Sequence, residues 1–112
     1  LVAHVVLYQP RPDLTADERA RLDAALSAAI EGIPSIRRVT IGERLRVGTI
    51  YEPLMSVDYT YAAIFEFDDE AGLRAYLDHP AHRELGELFY SCSTSALAYD
   101  YTVATDRRTL FR

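Results

Sequence analysis

The sequence predicts a small α+β domain: a four-stranded antiparallel sheet with helices on one face. Three observations lead there. Apolar residues alternate with period two in separate short stretches, which is the signature of strands. Between them lie stripes with i, i+3, i+4 spacing, the signature of amphipathic helices. The two patterns follow one another in the order β-α-β-β-α-α-β, within the 112 residues of a single domain.

Val2 to Tyr8 is β-branched and apolar and is stopped by Pro10 and Pro12, as a strand would be. Alternation places His4, Val6 and Tyr8 on one face and Ala3, Val5 and Leu7 on the other. Thr15-Ala16-Asp17-Glu18 has capping-box spacing and starts a helix. That helix carries a stripe of Leu22, Ala25, Leu26, Ala29 and Ile30 and ends at Gly32 and Pro34. Ile36 to Leu45 alternates through Val39 and Ile41 as a second strand. Residues Arg46 to Val57 have no period, yet Ile50, Tyr51, Leu54 and Met55 make them too apolar for a solvated loop. They are expected to pack over a core or a pocket.

Tyr59 to Phe67 is the strongest strand, with Tyr59, Tyr61, Ala63, Phe65 and Phe67 on one face. Asp69 is an N-cap for a helix bearing Leu73, Tyr76 and Leu77. Pro80 lacks an N–H and drives the residue before it out of the helical region, so this helix stops at His79. Proline also suits a first helical turn, so a third helix begins there, carrying His82, Leu85, Leu88 and Phe89. Ser91 to Ser95 breaks it, and Leu97, Tyr99, Tyr101 and Val103 then alternate as a last strand. The domain is expected over residues 1–104, with a polar C-terminal tail at 105–112.

This order is a split βαβ arrangement of the ferredoxin-like kind. His4, Val6 and Tyr8, with Tyr61, Ala63 and Phe65, are expected on the face away from the helices. One subunit cannot cover that face. A homodimer through the open sheet face follows, with a lined cavity between the sheets.

Composition excludes several partners. The formal net charge of -5 leaves no basic face for nucleic acid, and the pairs Arg37-Arg38, Arg44/Arg46 and Arg107-Arg108 are too dispersed to make one. The apolar start is too short to span a membrane and lacks the marks of a signal peptide, so a cytoplasmic protein is expected. Cys92 is the only cysteine and has no activating neighbour, so it is read as inert. No glycine-rich phosphate loop, flavin motif or Ser-His-Asp order is present, and no cofactor is expected. His79 and His82 diverge across a proline without further ligands nearby, so no metal is expected and His79 is read as a helix cap.

His4-Val5-Val6-Leu7, Ile33-Pro34, the corner Tyr76-Leu77-Asp78-His79-Pro80-Ala81-His82, and Tyr99-Asp100-Tyr101 occur in an order and spacing that resembles the stress-responsive A/B barrel (Dabb) family. The corner is the most specific of these elements. The resemblance covers residues 2 to 103 and implies a dimeric α+β barrel. The family includes plant stress-associated proteins, bacterial members and a plant polyketide cyclase that works without a cofactor. By position, the resemblance implies that His82 matches the cyclase's catalytic histidine, Tyr76 its partnering tyrosine, and His4 its strand-one histidine. Two departures change the pocket. Tyr61 stands where the cyclase has a further histidine, and Leu26 replaces a first-helix tyrosine.

The residues support the same candidates on chemical grounds. A helix N-terminus disfavours imidazolium, so His82 is suited to be a neutral general base. Tyr76 could hydrogen-bond a carbonyl and stabilise enolate charge. Asp100 is expected to orient His82, while His4, Val6, Tyr8 and Tyr61 shape the ligand pocket. The reading is a cofactor-independent acid/base enzyme, a cyclase or a relative, acting on a small carbonyl or polyketide-like compound. The alternatives are a non-catalytic ligand-binding or stress-protective module, or a cofactorless oxygenase.

Overall fold

The computed structural model describes residues 1–104, and the expected tail at 105–112 lies outside the described residues. Strand β1 (Val2–Pro10) leads to helix α1 (Ala16–Gly32), then strands β2 (Arg38–Glu43) and β3 (Tyr61–Phe67). Helices α2 (Glu70–Asp78) and α3 (Pro80–Ser91) follow, and strand β4 (Ser93–Thr102) completes the sheet. The strand order is β2-β3-β1-β4 and every pairing is antiparallel. This is the expected ferredoxin-like α+β fold.

Local chemistry sets the helix ends. Thr15 accepts from the Glu18 N–H and Glu18 accepts from the Thr15 N–H, both at 3.1 Å, a complete capping box. Asp69 accepts from the Gly72 N–H at 2.9 Å and caps α2. His79 is extended before Pro80 and serves two helices. Its backbone N–H bonds the Tyr76 carbonyl at the end of α2, and its Nδ1 accepts from the Ala81 N–H at the start of α3. The expected cap is therefore present.

The last strand begins earlier than the sequence suggests. Ser93 to Ser95 has poor strand propensity, yet Ser95 pairs with Gln9 and Ser93 with Pro10 across a register shift. Pairing to a long central partner overrides propensity there. The loop after β2 also departs from expectation. Ile50 is 87% exposed and Leu45, Val47, Leu54 and Met55 are exposed as well, so the loop covers neither core nor pocket within the subunit. It is nonetheless held in shape. Glu52 accepts from the Val47, Gly48 and Thr49 N–H groups at 2.8–2.9 Å, and Gly48 takes a positive φ of 78°.

The largest correction concerns the two faces of the sheet. His4, Val6, Tyr8 and Phe65 are buried, and Val6 and Phe65 join Ala25, Ala29, Tyr76 and Leu85 in the core beneath the helices. They do not form the open face. That role falls to the opposite residues, among which Ile64, Tyr99 and Tyr101 are exposed large side chains. Both faces of β1 are apolar, so alternation alone could not say which one the helices take. The helices cover the bulkier set. Phe65, Phe67 and Tyr76 fill the space between sheet and helices, with ring centroids 5.2–5.4 Å apart around Tyr76.

Candidate functional site

A cavity of about 520 Å³ lies between the sheet and its helices, not between two sheets as expected. Its floor includes His4, Val6 and Phe65, and its walls include Leu22 and Leu26 of α1 and Leu85 and Phe89 of α3. All seven residues singled out in the sequence border it: His4, Val6, Tyr8, Tyr61, Tyr76, His82 and Asp100.

The polar groups gather at one end. The rings of Tyr76 and His82 have centroids 4.5 Å apart, and His4 lies 5.5 Å from Tyr76. Tyr76 reaches this point because it sits in the last turn of α2, and His82 because the Pro80 corner starts α3 immediately beyond. His82 Nδ1 lies 3.1 Å from the Leu77 carbonyl oxygen. A carbonyl can only accept, so Nδ1 carries the hydrogen and, in the neutral ring, Nε2 keeps its lone pair. Burial pushes His82 below the ordinary imidazole value. The bond to Leu77 opposes that shift and the neighbouring His4 adds to it. Neutral His82 was expected from the helix N-terminus, whereas burial is the larger cause.

Tyr76 is 2% exposed, and its phenol is driven above the ordinary value by burial first and by Asp100 second. It therefore stays protonated and able to donate. Tyr8 differs. Its ring packs on Phe89 with centroids 4.3 Å apart, and its buried hydroxyl has no partner among the described residues. Burial, followed by Cys92, pushes that phenol up to about 12. Tyr8 meets the cavity as an apolar wall.

Asp100 does not orient His82. It accepts from His4 Nδ1 at 2.6 Å, because β1 and β4 pair with His4 opposite Asp100. The sequence does not give this partner, because it depends on the β1–β4 register. Sequence reading also passed over Leu22, Phe89, Ile41 and Tyr90 as lining groups, since an apolar stripe looks alike whether it faces core or cavity. Among the described residues, no group of three or more His, Cys, Asp and Glu side chains could hold a metal ion.

The model of the Stress responsive A/B Barrel Domain (Dabb) matches residues 2–103. The chain belongs to the Dabb family. Among solved structures, this Dabb chain is similar to a dimeric ferredoxin-like protein of unknown function from Thermobifida fusca. The identity is 26%, covering 91% of this chain and 90% of that one, with a TM-score of 0.68. A Dabb family protein with a ferredoxin-like fold from Mesorhizobium loti is 18% identical over 92% of this chain and 96% of its own, at a TM-score of 0.69. The hydroxynitrile lyase of Passiflora edulis is 15% identical over 94% of each chain, at a TM-score of 0.76. At the last two identities the likeness is one of fold. None of the curated proteins matches the chain. No helix among the described residues is long and apolar enough to cross a membrane.

Proposed function

We propose that this Dabb domain is a homodimeric, cofactor-independent acid/base catalyst acting on a small, largely apolar carbonyl compound, a cyclase or a relative. One observation carries the reading. His82 is held as a neutral base, Nδ1 on the Leu77 carbonyl, against the buried Tyr76 at the polar end of an otherwise apolar cavity.

Such an arrangement performs proton transfer next to a carbonyl. His82 Nε2 removes a proton from the carbon beside the carbonyl, and the Tyr76 hydroxyl donates to the oxygen as negative charge develops there. The enolate carbon then bonds to a second carbonyl carbon of the compound. The π bond of that carbonyl opens to an alkoxide, and protonated His82 gives its proton to that oxygen. Apolar walls keep water away, which strengthens each of these polar contacts. His4, Val6, Tyr8 and Tyr61 bound the space the compound occupies, and Asp100 acts through His4. The family's fold also accommodates a protein named as a hydroxynitrile lyase. Dimerisation is supported by the exposed apolar sheet face and by the dimeric Thermobifida fusca relative.

The test is turnover of a panel of aromatic and polyketide-like carbonyl compounds chosen by thermal-shift binding. His82→Gln should lower kcat about 10²- to 10⁴-fold, the usual contribution of a positioned base. Tyr76→Phe should cost about 10²- to 10³-fold, as for a lost oxyanion donor. A folded His82→Gln protein with wild-type kcat rejects the role of His82. Tight binders that are never turned over favour a binding module.

A further inference from the structure

Asp100 borders two cavities. On its inner side lies the large cavity, with His4. On its outer side lies a cleft of about 340 Å³ between α2 and the end of β4, where Glu70, Arg74 and Thr102 are neighbours. The two members of the pair differ in access. The His4 side chain is 8% exposed and that of Asp100 is 43% exposed. Between them runs the 2.6 Å hydrogen bond from Nδ1 to the carboxylate. A buried polar group of the cavity is thus joined by one short bond to a group that is part exposed and also borders the outer cleft.

We infer that His4 and Asp100 form a proton path between the inner cavity and solvent in the outer cleft. A proton arrives on His4 Nε2 and the Nδ1 proton passes to the Asp100 carboxylate, which releases it to water in the cleft. The reverse sequence returns it: Asp100 regains a proton from water and restores it to Nδ1 as Nε2 gives up its own. One proton enters as one leaves, and nothing is oxidised or reduced. Within turnover this rests on the acid/base reading, where a bound compound would block proton exchange through the cavity mouth. The path itself needs no substrate.

Its test therefore uses the intact protein without ligand. With isotope-labelled histidine, NMR follows exchange of the His4 Nδ1 hydrogen with water, and the His82 Nδ1 hydrogen serves as internal reference. Asp100→Asn keeps an oxygen acceptor but cannot carry the proton. It should slow His4 exchange about 10²-fold, the lower end of what a positioned proton-transfer group contributes, and leave His82 unchanged. Thr102→Trp, at an exposed position, should also slow His4 by filling the cleft while leaving the pair intact. Wild-type exchange at His4 in either folded variant overturns the path. If Asp100→Asn does not fold, Thr102→Trp decides alone. Inactive or unaltered His82 variants bear on the acid/base reading only, so the two can fail separately.

Discussion

Pro80 shows how much one residue can place. Without its N–H the chain cannot continue α2, and its fixed φ suits the first turn of α3. The corner brings Tyr76 and His82 to ring contact although they lie on different helices. The consequence for His82 is measurable without any substrate. Its folded value lies below the unfolded one because burial disfavours the charged ring. The protonated ring is therefore favoured more in the unfolded chain. Stability from neutral His82 is complete above the unfolded value, near 6.5, and is lost as pH falls through the folded value. Melting temperature should fall with pH across that window, and His82→Gln should flatten the curve there. A variant curve parallel to wild type would mean that His82 is not buried in neutral form. The residue types were legible in the sequence, and so was the division between capping His79 and pocket-facing His82. The partner of Asp100 was not, because it depends on which residue of β1 stands opposite.

At the level of elements, short polar signals did most of the work. The Thr15–Glu18 box and the Asp69 cap start their helices at the expected residues, since unsatisfied N–H groups at a helix start need a local acceptor. Asp69 bears on the site because α2 carries Tyr76. Asp69→Ala should cost about 1 kcal/mol, read from urea unfolding, and a cost near zero would assign the placement of α2 to packing alone. Signals failed where pairing or partners decide. The serines opening β4 follow β1 into the sheet despite their propensity. The apolar loop after β2 stands out from the subunit, its shape set by the Glu52 carboxylate and not by burial.

For the whole molecule, the exposed face of the sheet is the surface that asks for a partner. Ile64, Tyr99 and Tyr101 lie on it, at 40%, 55% and 55% exposure. Burying such side chains contributes about 25 cal/mol per Å² of apolar area removed from water. Ile64→Glu should therefore shift light scattering from dimer toward monomer at micromolar concentration; an unchanged dimer would put the interface elsewhere. By itself the sequence determined the α+β class, the order of elements, the Dabb resemblance and seven of the residues that border the cavity. Capping, proline geometry and periodicity act over a few residues and can be read along a chain. Only the tertiary structure decided which sheet face the helices cover, that the cavity lies beneath them, and that Asp100 belongs to His4. Those outcomes depend on side-chain bulk meeting across layers and on strand register, and two similarly apolar faces of one strand carry neither.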